Sequence, residues 1–261
     1  MSITTLDGLI AAIKRKVIYQ KTAVRTSVSN IPFSVFDLAG QPGAGNLAVG
    51  NSGAGIVPTD TATGYALLAP SVATLYVNIV QTRSSVSGWI DLYDCLFSAG
   101  AYSFNAAVTL SGQPSYAARV PNGDYTGTEL WLETVTAFTG NQSVAIAYLD
   151  QGGASGTTGT VATGVAPTVG RMFQMPLAAG DSGVSRVDSV TSTVSTVGTF
   201  NVHVLRHLYG ARINQNGVGV VDGLLTTGLP WIYDTSALRI VVTPDATSTG
   251  LPSLRLGLVD G

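Results

Sequence analysis

The chain has 261 residues, a formal net charge of −2, 45% hydrophobic residues and only 11% charged ones, against about 25% charged in an ordinary soluble domain. This excludes a disordered chain, which is polar and charged, and a bulk nucleic-acid binder, which is basic. Apolar material suffices for a core, but little charge is kept for a free surface, as expected of a protein covered by neighbours.

The first element is a helix over residues 5–16. Leu6, Leu9, Ile10, Ile13 and Val17 recur at helical spacing. Thr4 or Thr5 can cap it, Asp7 suits its first turn, and Lys14–Lys16 suit its last. The first 30 residues carry five basic side chains (Lys14, Arg15, Lys16, Lys21 and Arg25) and one acid. Such a segment fits either a solvated helix end or a contact to an acidic partner surface or to nucleic acid. Residues 17–28 are β-branched and read as strand. Residues 1–70 are therefore expected to form an arm, with this helix and a Gly-rich loop.

That loop, Asp37–Gly55, contains Gly43-Ala44-Gly45-Asn46-Leu47-Ala48, which fits the dinucleotide pattern. The pattern needs a strand before it and a helix opening at the glycines. Pro42 precedes it, more Gly and Pro follow, and no lysine lies beyond Lys21. The loop is read as tightly turning chain lying close to other backbone.

From Ser71 onward, short strands alternate with turns. They form an internal repeat. Residues 76–89 lie over 187–200, placing Ile79 on Val190, Ser84 on Ser195, Val86 on Val197 and Trp89 on Phe200. Leu96-Phe97 then match Leu208-Tyr209, residues 125–136 match 233–243, and Val144, Ile146 and Tyr148 match Leu254, Leu256 and Leu258. The offset stays between 108 and 112. The expected fold is all-β: two tandem β-sandwich modules, 71–150 and 169–261, jelly-roll or Ig-like, after the N-terminal helix-containing arm. A Gly/Ser/Thr linker joins them at 151–168.

No catalytic, metal or cofactor constellation is expected. Ala179-Gly180-Asp181-Ser182-Gly183-Val184 resembles the nucleophile motif of chymotrypsin-like proteases, but both histidines, His203 and His207, follow the serine. On a strand, residues four apart lie about 13 Å apart, too far for one ion or a glycosidase pair. His203 and His207 are thus ordinary strand residues, and Glu129 and Glu133 belong on a solvent face. Trp89 is expected in the core; Trp131, replaced by Arg239 in the second copy, is expected to point outward. The single cysteine, Cys95, permits no intrachain disulfide and is expected to be buried. Asn141-Gln142-Ser143 is a glycosylation sequon, but the start lacks the basic region of a signal peptide. No apolar run reaches the roughly 18 residues of a membrane span.

"ITTLDGLIAAI", "FDLAGQPGAG" and "MPLAAGDSGV", in this order around a duplicated β module, resemble a group of virion structural proteins of tailed bacteriophages. The resemblance implies a particle component without catalytic residues and leaves head versus tail open. The expected role is a capsid cement or decoration protein, assembled in the bacterial host cytoplasm. Its partners would be the major capsid protein and copies of itself, with no membrane and no nucleic acid. Lys14, Arg15, Lys16, Lys21, Arg25, Trp131 and Trp231 are the candidate contact residues. A tail or baseplate component is the alternative within this class. A carbohydrate- or receptor-binding module is the competing class, and exposed aromatics near Trp131 or Trp231 would favour it.

Overall fold

The computed structural model describes residues 5–68, 74–104, 107–138, 143–162, 168–192, 197–228 and 230–260. The fold is all-β, with antiparallel sheets and a short N-terminal helix. The principal strands are β1 (Ile13–Lys21), β2 (Thr74–Ser84), β3 (Gly88–Ser103), β4 (Thr128–Thr136), β5 (Ser143–Asp150), β6 (Val184–Ser192), β7 (Thr199–Ile213), β8 (Leu238–Pro244) and β9 (Pro252–Asp260).

Helix α1 spans only Leu6–Ala12, capped by Thr5, whose Oγ1 accepts from the Gly8 N–H at 3.0 Å. It ends four residues before the expected boundary. Ile13 leaves helical geometry and β1 pairs with β9, so sheet pairing overrides the local helical period. Lys14–Lys16 therefore lie on a strand, and no basic residue stands in the last helical turn.

The chain divides into two compact units, each discontinuous in sequence. The first takes residues 1–45, 59–94 and 208–261; the second takes 46–58 and 95–207. These units do not follow the boundaries expected at 70, 150 and 168. The reason lies in the pairing: the principal ladders join strands of one repeat copy to strands of the other. In the first unit β2 pairs with β9, and the start of β3 pairs with β8. In the second, β6 pairs with β5, and the start of β7 pairs with β4. Both units are thus the same construction with the copies exchanged.

The registers fix the repeat more finely than the sequence does. Val80 pairs with Leu256, and Val190 with Ile146. Ile90 pairs with Val242, and Phe200 with Thr134. The ladder even shifts at the same place, skipping Asn78 in one unit and Asp188 in the other. These equivalences set Val80 on Val190 and Ile90 on Phe200, one residue from the sequence alignment. Trp89 therefore does not stand where Phe200 stands. It is 43% exposed, with the Arg212 guanidinium 5.8 Å from its ring centre, while Ile90 and Phe200 are buried. This corrects the expected core position of Trp89.

The equivalence also reaches the expected arm and linker. In the first unit β1 flanks β9, and Phe33–Ser34 flanks β8. In the second, Ser155–Thr157 flanks β5, and Met172–Met175 flanks β4. Parts of both segments are thus sheet strands. The sequon residues Asn141 and Gln142, and residues 163–167 of the linker, lie outside the described residues.

Each unit is a sandwich with its own core. Val17, Tyr19, Val80, Leu92, Ile240 and Leu256 belong to the first. Leu130, Ile146, Tyr148, Val187, Phe200 and Val202 belong to the second. In the second, Phe104 stacks against Phe138 and Phe200, ring centres 4.1 and 4.6 Å apart. Such pairs add about 0.5–1.5 kcal/mol beyond burial.

Candidate functional site

The Gly-rich loop is built around a lysine rather than a phosphate. The Lys21 ammonium donates to the carbonyls of Pro42 (2.8 Å) and Gly43 (3.3 Å). A phosphate loop presents N–H groups to an anion; this one presents oxygens to a cation. Gly40 lies against the backbone of Gln20 and Lys21, and Gly45 lies on the Phe36 ring, where a Cβ would collide. Burial pushes the Lys21 ammonium down to about 8, partly opposed by the Asp37 charge.

Arg25 forms a two-pronged ion pair with Asp37, at 2.5 and 2.6 Å. Lys21 and Arg25 are thus internal struts, in contrast to their expected role as partner contacts. Lys16 is exposed on β1; the side chains of Lys14 and Arg15 lie outside the described set. Trp131 is only 5% exposed and donates its indole N–H to Glu129 at 2.7 Å. Its counterpart Arg239 is also buried, stacked 4.2 Å from the Phe36 ring centre. The expectation that Trp131 points outward is overturned, because this face of the sheet is covered as well. Trp231 is half-buried beside Tyr76 and Tyr233, ring centres 6.0 and 6.4 Å away.

The second unit holds a polar array that the sequence did not disclose. Glu133 on β4, His203 on β7 and Ser98 on β3 lie on three neighbouring strands. Trp131 pairs with His203, and Glu133 with Asn201, so Glu133 and His203 are diagonal neighbours. His203 Nε2 lies 2.9 Å from Glu133 Oε2, and its Nδ1 lies 2.7 Å from Ser98 Oγ. Ser98 Oγ is also 3.2 Å from Cys95 Sγ. An ionised carboxylate only accepts, so Nε2 carries a proton toward Glu133, and Nδ1 shares a hydrogen bond with the Ser98 hydroxyl.

Serine, base and orienting carboxylate are the members of a nucleophilic triad. All three are buried here, along with Cys95. The Ser98 backbone is paired with Ile56, and Asn201 donates to the Leu47 carbonyl at 2.5 Å, so the 46–58 segment lies over these strands. Buried Arg119 anchors the end of that segment by donating to the carbonyls of Pro58 and Cys95. Ser98, His203 and Glu133 line neither the groove of 540 Å³ nor that of 500 Å³ found among the described residues. In this geometry the array is an internal network that links three strands of the unit. Glu133 was expected on a solvent face and His203 as an ordinary strand residue. Only the strand register, which periodicity does not reveal, brings them together.

The Asp181-Ser182 turn is unrelated to this array. Asp181 accepts from the Tyr148 hydroxyl at 2.6 Å, and the Ser182 N–H donates to Gln151 at 2.9 Å. His207 is exposed while His203 is buried, and no cluster of metal-ligating side chains occurs among the described residues.

No family model and no curated protein matches the chain. Among solved structures it has a weak likeness to the VP2 subviral particle of infectious bursal disease virus (13% identity over 70% of this chain and 38% of that one, TM-score 0.19). Others are the arabinosyltransferase EmbB from Mycobacterium smegmatis (13% identity, 67% and 24% covered, TM-score 0.20) and the Gx strain of the same virus (11% identity, 95% and 40% covered, TM-score 0.12). The chain spans less than half the length of each of these three. Likenesses at such TM-scores carry no argument about fold or function.

Proposed function

We propose that the protein is a non-enzymatic structural component of a tailed-phage virion, a cement or decoration protein that bridges capsomers of the head shell. The observation that best supports this is helix α1. It buries none of its residues, yet Leu6 is 71% exposed, Ile10 59% and the adjoining Ile13 47%. A seven-residue helix is marginal in water without a tertiary partner for its apolar face. A neighbouring subunit supplies that partner in this reading. Low charge across the whole chain fits a surface covered on assembly. The major capsid protein and further copies of the chain are the partners, and many weak contacts combine by multivalency.

Light scattering of the purified chain, with and without emptied phage shells, tests this. The chain should bind shells and raise their melting temperature. Leu6→Ser combined with Ile10→Ser should weaken binding while leaving the melting temperature of the free chain unchanged. A chain that ignores shells, or that assembles alone into tubes or rings, overturns the cement reading. The second reading, a carbohydrate- or receptor-binding module, is favoured by the half-buried Tyr76–Trp231–Tyr233 cluster. Binding to cell-surface polysaccharide that is lost in Trp231→Ala would select it.

A further inference from the structure

In the first unit, the sheet built from Gly219–Gly223, β2, β9 and β1 turns one face into the core. Its outer face carries side chains in rows. Gln20, Ser253 and Arg83 form one row across β1, β9 and β2; Ile18, Arg255 and Gln81 form the next; Lys16, Gly257 and Ile79 form a third. Lys16, Arg83 and Arg255 are exposed. Gln20, Ser253 and Arg83 of the first row, and Arg255 and Gln81 of the second, line a groove of 540 Å³ whose lining includes no Asp or Glu. Lys21 also lines it, but its ammonium is committed to the Gly-rich loop.

Arg83 donates from Nε to the Gly217 carbonyl at 3.1 Å. That holds the side chain in place and uses one of its five N–H donors. Arg255 is its diagonal neighbour on the adjacent strand. Like charges placed together on a sheet face repel and cost stability. The fold itself does not demand them, as the second unit shows. There the equivalent ladder positions hold Ala145 for Arg255, Thr157 for Lys16 and Thr191 for Gln81. Identical pairing is thus achieved with no cation at those three positions.

We propose that this groove is a docking site for an extended acidic segment of a partner protein. Charge complementarity selects the occupant: a carboxylate-bearing chain meets Arg83 and Arg255 without any competing acid, and guanidinium groups bind carboxylates bidentately. No aromatic side chain lines the groove, so it lacks the stacking surface that single-stranded nucleic acid or a sugar ring uses. That the partner is a capsid protein rests on the particle reading above; the chemistry of the groove does not.

The test is fluorescence anisotropy of the full chain with a labelled Asp/Glu-rich peptide, at low and physiological salt. The peptide should bind, more weakly as salt rises. Arg83→Gln with Arg255→Gln should weaken binding by at least about tenfold, whereas Arg186→Gln, at an exposed position of the second unit, should leave it unchanged. Arg83→Lys with Arg255→Lys keeps the charge and should keep most of the affinity, separating charge from any folding defect of the first pair. Undiminished binding by the Gln pair, no binding by the native chain, or equal binding of an oligonucleotide of the same charge overturns the proposal. Peptide binding without shell binding overturns only the particle reading. Shell binding unchanged in the Gln pair overturns the groove as the docking site.

Discussion

The two units have equivalent ladders and different side chains on the faces away from their own cores. In the second, Glu133 and His203 place an ionisable pair between strands. In the first, the equivalent ladder positions hold Val241 and Tyr93. Conversely, the first unit carries Arg255 and Lys16 where the second carries Ala145 and Thr157. The ladder and the inward apolar positions specify the fold. The remaining faces were free to diverge after duplication, so they are where function is to be sought.

The sharpest way to break this comparison is to make the second unit resemble the first. Glu133→Val should cost about 1–3 kcal/mol, because it leaves the buried His203 Nε2 N–H without its acceptor. Glu133→Val combined with His203→Leu should recover part of that loss, since the polar group and its partner leave together. Denaturant unfolding of both variants and of His203→Leu gives the coupling energy directly. A single-variant loss below about 1 kcal/mol would show that the network does not hold the unit together.

Residues 37–45 of the Gly-rich loop belong to the first unit, and two further effects probe them. Gly45→Val should cost about 1–3 kcal/mol by overpacking against Phe36; thermal unfolding reads this. Lys21 should give a pH signature. Unfolded, its ammonium keeps a proton up to about 10.5; folded, burial lowers this to about 8. Between these values the folded state binds fewer protons, so stability rises with pH, and it falls again as pH drops through about 8. Above about pH 10 the buried tyrosines oppose the trend: Tyr102 and Tyr148 are raised to about 12 and prefer to stay protonated. Melting temperatures measured from about pH 7.5 to 9.5 should climb for the native chain and stay flatter for Lys21→Met. Equal slopes would mean that the buried ammonium does not set the dependence.

Strand content and the duplication were legible because alternation of apolar residues survives in both copies. The exchange of strands between copies was not: Val80 and Val190 carry the same pattern, so either could pair with Ile146 or Leu256. A single-residue offset in alignment was enough to misplace Trp89. Helix α1 was found but overextended, since pairing of β1 with β9 is a long-range event. The basic cluster was visible, yet sequence proximity grouped exposed Lys16 with the internal struts, buried Lys21 and half-buried Arg25. It also missed Arg83 and Arg255, which reach the same sheet face from distant segments.

The smallest expected effect tests whether the cationic face is a cost carried for binding. Arg255→Ala removes an exposed side chain with no ion pair among the described residues. An ordinary surface substitution changes stability by less than about 0.5 kcal/mol in either direction. Here repulsion from Arg83 is relieved, so the change should be a gain of a few tenths of a kcal/mol at low salt. That gain should vanish as screening shortens the reach of charge to about 8 Å near physiological ionic strength. Ala145→Arg in the second unit is the mirror experiment. It places a lone cation among neutral neighbours and should be neutral at every salt concentration. Urea unfolding of both variants at two salt concentrations separates the cases. If Arg255→Ala destabilises instead, the guanidinium is supporting the sheet, and the difference between the two outer faces is architectural rather than functional.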